Sequence, residues 1–473
     1  MPADDEVLRY YFDELNYLRA MGSDFARAHG RVAGSLDLSA GQSTDPHVER
    51  LIESFAFLTG RIQRNLDAEF PQITTALLGI LYPQLVQPIP SMAIARFDVD
   101  PVRVKVPTGY VVDKHTPLIA RSVDGLPCRF RTCYPVRLWP LEIQDAVLEP
   151  ARNHDVEERG VTNVLRLRIR CSAGKMSDLK LDRLRFFLNG PPAITSAVYD
   201  LLVTAVASIE LRASVAEGDP QPDPVRLDRR SIRQVGFGTD DEVLPSPPQS
   251  HPGYRLIQEY FHFPDKFRFI DVRNLDQRPQ GEVFDILFLL TRAPSRLSIN
   301  KDTFVLGCTP IINLFPKTSE PIRVDHRSLE YRLVGDMRRE RTTEIHSILS
   351  VSAASGPDEK NTRYEPFYSF RHSWDDTGNR AFWLARRAPA GREEVPGTDL
   401  WLSFLNLDFQ PATPADEIIY AHTLCTNRRL ALELRENAEL HIETPAPTYS
   451  ISCLVRPTPP VLPALGGATV WRL

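Results

Sequence analysis

The sequence lacks the apolar segment that a membrane helix or a secretory signal peptide requires. No run reaches the roughly 18 apolar residues of a membrane span. The chain begins MPADDEVLRYYF, which is acidic and then amphipathic, whereas a signal peptide has a basic region followed by an apolar one. We therefore expect a soluble, cytoplasmic protein with no direct membrane span.

Catalytic signatures are also scarce. The metalloprotease pattern HExxH and the hydrolase pattern G-x-S-x-G are both absent. GKMS at 174–177 lacks the upstream glycine of a phosphate loop, and GFG at 236–238 lacks the third glycine of a dinucleotide fingerprint. The sequence favours a protein that is not an enzyme and binds no cofactor. A hydrolase or carbohydrate-active enzyme on a β-rich scaffold, and a free-standing ligand-binding module, remain the alternatives.

Metal-ligand spacing is poor. Of the six cysteines only Cys128 and Cys133 are close, and a zinc ribbon needs a second close pair or a Cys/His set. We predict free thiols. The best local cluster of other ligands is His372, Asp375 and Asp376, in a segment that is more typical of an Asp-rich turn. We predict no metal site.

Charge gives no support for nucleic-acid binding. The formal net charge is -5, and the chain has 8 lysines against 48 arginines. A negative balance does not favour binding to a polyanion. The arginine excess is consistent with coding bias and also with interfaces, where the guanidinium fork pairs well.

The first 90 residues are predicted to be helical. A narrow apolar stripe indicates a helix from about Glu6 to His29. A second helix is predicted from Asp45-Pro46, a typical cap and first position, to Phe70-Pro71, and a third from about 73 to 82. These helices either form a layer within the chain or share a bundle with other chains. The first stripe, our first set of candidate partner contacts, consists of Leu8, Tyr11, Leu15, Leu18 and Phe25.

From residue 91 onward the pattern changes to strands. Residues 164–170, VLRLRIR, alternate apolar and basic side chains. We predict a multidomain α+β protein, in which the N-terminal helical segment is followed by two β-rich domains. The first, 91–214, is α+β, residues 215–252 form a proline-rich connection, and 253–473 form the second.

The stretch GYRLIQEYFHFPDKFRFIDV, 253–272, is the densest in aromatic residues. Its first half has helical spacing, Pro264 ends the helix, and KFRFIDV alternates like a strand. Arg255 and Glu259, four residues apart, can brace the helix. We interpret the stretch as a corner that anchors the second β domain and that also offers contacts to a neighbouring subunit. The candidate contacts are Tyr254, Arg255, Tyr260 and Phe261.

Several long stretches, spread in order over the whole chain, resemble one family. The family is TssF, also called ImpG or VasA, whose members are baseplate wedge subunits of the bacterial type VI secretion system. The resembling stretches are LRYYFDELNYLRAMGSDFARAHG (8–30), DPHVERLIESFAFLTGRIQRNLDAEFPQI (45–73), LYPQLVQPIPS (81–91), CRFRTCYPVRLWPLEI (128–143), GYRLIQEYFHFPDKFRFI (253–270), FVLGCTPIINLFPKTSEPIRVDH (304–326) and LCTNRRLALEL (424–434).

The resemblance implies a structural role without enzymatic activity. Its implied partners are a TssG-like subunit that shares a helical bundle, a second copy of the chain, a TssE-like sheath adaptor, TssK-like trimers and the spike hub. The implied location is the inner face of the inner membrane. Family members continue beyond the WRL motif, so we expect the family's C-terminal end to be missing from this sequence. Within the resembling stretches, turns are predicted at Asn313 and Phe315 and at Arg428. They either are exposed and serve as further candidate contacts or satisfy buried backbone inside the chain, and we favour the internal role.

Overall fold

The computed structural model describes residues 2–39, 42–104, 106–156, 158–214, 222–247, 250–278, 283–294, 297–324, 328–354, 362–367, 382–392, 394–405 and 418–465. The chain divides into two compact units. Met1–Val86, together with Pro463–Leu473, forms the helical unit, and Gln87–Leu462 forms the β-rich unit. Among the described residues, no helix is both long and apolar enough to cross a membrane.

The α-helices and strands are numbered in chain order. The helices are α1 (Pro2–Ala28), α2 (Gly30–Ser35), α3 (Pro46–Leu81), α4 (Pro192–Asp200) and α5 (Pro252–His262). The strands are β1 (Leu38–Ser39), β2 (Gln42–Ser43), β3 (Met92–Val99), β4 (Tyr110–Val112), β5 (Pro117–Arg121), β6 (Pro127–Thr132), β7 (Val136–Leu138), β8 (Leu141–Pro150), β9 (Asn163–Cys171), β10 (Arg183–Leu188), β11 (Val206–Ser214), β12 (Val225–Asp228), β13 (Ile232–Gln234), β14 (Phe269–Arg273), β15 (Val283–Leu290), β16 (Phe304–Val305), β17 (Cys308–Ile312), β18 (Phe315–Thr318), β19 (Ile322–Arg323), β20 (Tyr331–Leu333), β21 (Glu344–Ala354), β22 (Thr362–Tyr364), β23 (Phe382–Pro389), β24 (Thr398–Leu405), β25 (Ile418–Thr426), β26 (Leu440–Ile442) and β27 (Thr448–Val455).

The helical unit confirms the predicted start of the second helix. The Asp45 side chain accepts a hydrogen bond from the amide of His47 at 2.8 Å, and Pro46 occupies the first turn of α3. The predicted break at Phe70-Pro71 is wrong, because the backbone of α3 continues to Leu81. A proline inside a helix removes one amide donor but does not by itself end the helix. The helix does end before Pro83, as predicted.

The β-rich unit contains a six-stranded sheet in the order β26-β5-β6-β17-β3-β27. Strand β3 shows why its sequence, MAIARFDV, has no clean alternation. Ala93 and Ala95 belong to the core on one side of the sheet, whereas Met92 and Ile94 belong to the core on the other side. A strand that is buried on both faces is expected to be continuously apolar.

The described residues of the β-rich unit form five further sheets beside this one. Their strand orders are β12-β11-β15-β9-β8, β13-β14-β10-β16, β18-β25-β21-β22 and β20-β24-β23, and β4 pairs with β7. The first two sheets share a core with α4. The alternation in β9 is confirmed, since Leu165, Leu167 and Ile169 are buried in that core.

The sheets require a correction to the predicted division at 215–252. This segment was expected to be a connection, yet it contains β12 and β13. Strands from both sides of it pair with one another, as β11 does with β15 and β10 with β14. The predicted domains 91–214 and 253–473 are therefore interleaved in one compact unit, Gln87–Leu462.

Candidate partner-contact surfaces

Helices α1 and α3 pack closely through small and apolar side chains. Leu15 of α1 and Ala56 of α3 are buried. At Gly60 the two backbones approach so closely that an added Cβ would lie 3.1 Å from the backbone of Tyr10 and Tyr11. The expected layer of helices within the chain is thus present for this pair.

One ion pair also joins the two helices. Nη2 of Arg19 lies 2.6 Å from Oε1 of Glu49, and Oε2 of Glu49 accepts the amide of Ser43 at 3.2 Å. The hydrogen bond from Arg19 lowers the pKa of Glu49 below its ordinary value. A carboxylate is therefore part of the α1–α3 contact, in a position only partly open to solvent.

The outer face of α3 is apolar and exposed. Its exposed side chains recur at intervals of three or four residues, so they form one stripe along the helix. Leu51 is 73% exposed and Ile62 is 59% exposed, values that are unusual for a contiguous apolar row. The members of this α3 outer stripe are Leu51, Phe55, Leu58, Ile62 and Leu66.

The predicted stripe of α1 is divided by the structure. Leu15 is buried against the chain itself, and Tyr11 and Leu18 are half-buried. Leu8 and Phe25 are exposed near the two ends of the helix. Leu15 is therefore corrected from a partner contact to an internal one, because its side chain has no surface left to offer.

Helix α5 is arranged with its charged side chains inward. Glu259 is fully buried and accepts the backbone amides of Val243 at 2.8 Å and Leu244 at 2.9 Å. Its second oxygen accepts a hydrogen bond from the buried ammonium of Lys266. Burial lowers the pKa of Lys266, and the charge of Glu259 opposes that shift. The buried carboxylate and ammonium therefore satisfy each other inside the protein.

Arg255 completes this buried cluster. Its Nε lies 3.8 Å from Glu259, an ionic contact longer than a hydrogen bond, and its Nη2 donates to the carbonyl of Gly238 at 3.1 Å. The predicted bracing of Arg255 by Glu259 is confirmed. Its prediction as a partner contact is corrected, because the guanidinium is buried.

The opposite face of α5 presents rings to solvent. Tyr254 is 47% exposed, Tyr260 is 59% exposed and Phe261 is 76% exposed. The later part of the stretch anchors the core, through Phe263, Phe269, Ile270 and Val272. The predicted strand also begins later than expected, since Pro264–Phe267 forms a 3₁₀ turn before β14.

The structure does not place Asn313 in an exposed turn. Asn313 is fully buried, and its Nδ2 donates to the carbonyl of Arg129 at 2.7 Å and to Oδ1 of Asn427 at 2.9 Å. In return, its Oδ1 accepts the amide of Asn427 at 2.7 Å. Phe315 is also buried, beneath the guanidinium of Arg129. Asn313 therefore satisfies hydrogen-bonding groups inside the chain, and Phe315 fills space in its interior.

Arg428 does lie in a turn, with φ +53, but its side chain is likewise internal. Its Nη1 donates to the carbonyl of Pro396 at 2.7 Å and its Nε to the carbonyl of Glu340 at 3.1 Å. Glu344 lies 3.8 Å from Nη1. The prediction of an available, donor-rich arginine is corrected, since burial and internal acceptors occupy this side chain.

Two of the three arginines that alternate along β9 are paired within the sheet. Nη2 of Arg166 lies 2.8 Å from Asp145, and Arg168 forms two hydrogen bonds of 2.8 Å with Asp285. The third, Arg170, is exposed.

A cleft of about 710 Å³ opens in the β-rich unit, with Arg96, Trp139 and Arg183 among its lining residues. Asp98 in this cleft forms an ion pair with Arg96, whose Nε lies 2.7 Å from its Oδ1, and accepts a hydrogen bond from the hydroxyl of Ser450 at 2.8 Å. The Asp98 carboxylate is thus engaged by partners from the chain itself.

Metal ligands are not grouped in the part of the chain that the structure describes. No three His, Cys, Asp or Glu side chains there are placed to hold an ion. The cluster of His372, Asp375 and Asp376 lies outside the described residues.

Two important positions were missed by sequence reasoning. Lys266 was assigned to the alternating strand KFRFIDV, and no sequence signal indicated its buried pairing with Glu259. Gly60 was not singled out, although Ala56 and Gly60 are small residues one turn apart on the face opposite the apolar stripe. That pairing of small residues is the signal for a close helix contact.

Comparison with known proteins gives this architecture a family. The model of the family "Type VI secretion system, TssF" matches residues 3–473. The type VI secretion system component TssF1 of Pseudomonas aeruginosa is 32% identical over 498 aligned positions, which cover 99% of this chain and 78% of that protein.

Solved structures agree with this result. A chain of the cryo-electron microscopy structure of the type VI secretion system TssK-TssF-TssG baseplate subcomplex is 25% identical, with a TM-score of 0.69 over 90% of this chain and 76% of that one. A chain of "the baseplate complex from the type VI secretion system", 24% identical, shares the fold with a TM-score of 0.55 over 98% of this chain and 79% of that one. The fold is thus that of a baseplate component of type VI secretion. The chain belongs to the TssF family.

Proposed function

We propose that the protein is a non-enzymatic wedge subunit that scaffolds the baseplate of a type VI secretion machine. In this proposal it joins a TssG-like subunit and a second copy of itself in the wedge, and the wedge engages TssK-like trimers, a TssE-like sheath adaptor and the spike hub. Assembly takes place in the cytoplasm, at the inner face of the inner membrane.

The α3 outer stripe is the observation that carries the proposal. Apolar rows of this length on a helix surface are buried in stable proteins, because removing them from water is favourable by about 25 cal/mol per Å². Helices α1 and α3 already use their inner faces on each other, so the outer stripe is suited to a helix of another subunit. The TssK-TssF-TssG subcomplex, in which the related chain was solved, supports a TssG-like partner.

The experiment replaces one member of the stripe with a charged residue. Ile62→Asp places a carboxylate in the proposed helix contact, and burying an unpaired charge is strongly unfavourable. We expect binding to the purified TssG-like subunit to weaken at least about tenfold, measured by co-purification and by calorimetry.

Arg61→Asp is the matched control, because it introduces the same carboxylate at the neighbouring exposed position outside the stripe. We expect it to retain most of the binding. Equal binding by wild type and Ile62→Asp would show that the stripe is not the partner surface.

A further inference from the structure

The orientation of α5 is fixed by its buried charges. Glu259 holds two backbone amides and Lys266, and Arg255 reaches the carbonyl of Gly238. Rotating the helix to bury its rings would expose these satisfied contacts or leave a charge buried without a partner, which is strongly unfavourable. The outward rings are therefore a built feature of the fold.

The exposed rings also form one continuous surface, the aromatic platform, made of Phe237, Tyr254, Ile257, Tyr260 and Phe261. Phe267 links them from below, with ring centroids 4.9 Å from Phe237 and 6.0 Å from Tyr260. The rings of Tyr260 and Phe261 are 5.5 Å apart. Packed rings of this kind lose little side-chain freedom on binding and are typical anchors of protein interfaces.

The size of the platform indicates what kind of partner it fits. A large aromatic side chain contributes about 150–250 Å², so at their exposed fractions the members present roughly 500 Å². A stable interface needs about 800 Å² on each side. The platform alone is too small to hold two copies of this chain together. Its occupant must be held by other contacts as well, as a neighbour in a larger assembly is.

The shape of the aromatic platform narrows the choice of partner further. Helix α5 has 11 residues, which corresponds to a ridge of about 16 Å. Ile257 and Phe261, four residues apart, form the row that packs into the groove of another helix. We propose that the aromatic platform docks the apolar face of an amphipathic helix from a different baseplate subunit. The proposal rests on the proposed function, because it requires the assembled baseplate.

Crosslinking tests the occupant directly. Phe261 is replaced by photoreactive benzoylphenylalanine in the full chain, and the baseplate is reconstituted from its purified subunits. We expect the crosslinked peptide to lie in an amphipathic helix of a different subunit. Leu329, which is 72% exposed, is the control position and should give little product. A crosslink to a second copy of this chain, or no product above the control, would overturn the proposal.

A variant separates this platform from the α3 outer stripe. Tyr260→Ser with Phe261→Ser removes exposed rings, so we expect the thermal midpoint of the isolated protein to stay within about 2 °C of wild type. Assembly of the complete baseplate should weaken at least about tenfold. Binding of the TssG-like subunit through α3 should remain.

The two proposals therefore fail in different ways. Normal baseplate assembly by the double variant would contradict the proposed role of the aromatic platform, but it would not affect the proposed role of the α3 outer stripe. If the variant loses the TssG-like subunit together with its fold, Phe261→Leu decides the question, because it keeps the apolar volume and should restore assembly. Failure of a folded Phe261→Leu protein to assemble better than the double variant would count against an apolar contact.

Discussion

At the scale of single residues, Arg428 shows how one buried side chain orders several loops. Its guanidinium spans the carbonyls of Glu340 and Pro396, and the backbone at Gly397 passes directly against it. A Cβ atom on Gly397 would overlap Nη1 of Arg428, and Gly397 has φ +136, a region that only glycine adopts readily. The contact therefore depends on the absence of a side chain.

We predict that Gly397→Ala lowers the free energy of unfolding by about 3 kcal/mol, through backbone strain and displacement of Arg428. Gly391→Ala is the matched control, because its Cβ would meet open space. Denaturant unfolding of both variants measures the difference. Equal stability would show that Arg428 can move aside at little cost.

Residues such as Asn313 also show the limit of prediction from sequence at this scale. The turn at Asn313 left an exposed and an internal role open, and hydrogen bonds to Arg129 and Asn427, more than a hundred residues distant from Asn313, show that the residue is internal. Polar residues are buried when such partners exist. A single sequence does not show which distant residues become partners.

At the scale of elements, periodicity located the helices but not which way they face. The cap at Asp45-Pro46 predicted the start of α3 correctly, and the structure turns the apolar stripe of this helix outward while Ala56 and Gly60 face α1. In α5 the apolar row faces solvent and the charges face the core. Hydrophobic periodicity assumes that the apolar face is internal, and that assumption fails for both of these helices.

The α1–α3 pair should be sensitive to acid through Glu49. The hydrogen bond from Arg19 lowers the pKa of Glu49 below its ordinary value of 4.5. A carboxylate whose pKa is lower in the folded than in the unfolded protein stabilises the folded state. This stabilisation is complete above the pKa of the unfolded state, and it is lost as the pH falls through the pKa of the folded state. The relevant window lies below about pH 4.5.

We predict that Glu49→Gln destabilises the helical contact by about 1 kcal/mol at pH 7 and by progressively less below pH 4.5. Amide hydrogen exchange in α1 and α3, measured at pH 7 and at pH 3, reports the change in stability. A difference between wild type and variant that is the same at pH 3 and pH 7 would contradict the role of the charged carboxylate.

At the scale of the whole molecule, composition and strand pattern predicted the α+β class and the helical start, and both are confirmed. The pairing of strands was not predictable. Prolines at 215–252 suggested a boundary, but β11 and β15 pair across it because antiparallel partners need not be neighbours in sequence. Local signals define a strand, whereas its place in a sheet depends on distant residues.

The reactivity of the six cysteine thiols tests how well the core is closed to solvent. Cys128, Cys133, Cys308, Cys425 and Cys453 are buried, and Cys171 is half-buried. Burial raises the pKa of Cys133 and Cys453 to about 12 and that of Cys425 to about 11. The reactive thiolate is then rare at neutral pH.

We predict that at pH 8 a thiol reagent modifies Cys171 first in the native protein, and modifies all six cysteines only after unfolding. Mass spectrometry of the labelled peptides identifies the order. Rapid labelling of Cys453, for example, would mean that the central sheet opens far more often than its burial implies.

The order of strands in the six-stranded sheet has a consequence for synthesis on the ribosome. Strand β3 lies between β17 and β27, both of which are translated long after it. Until they emerge, β3 has two open edges and two apolar faces, which is the kind of segment that aggregates. We expect chaperones that bind nascent chains to occupy β3 during translation and to leave it when β27 is complete.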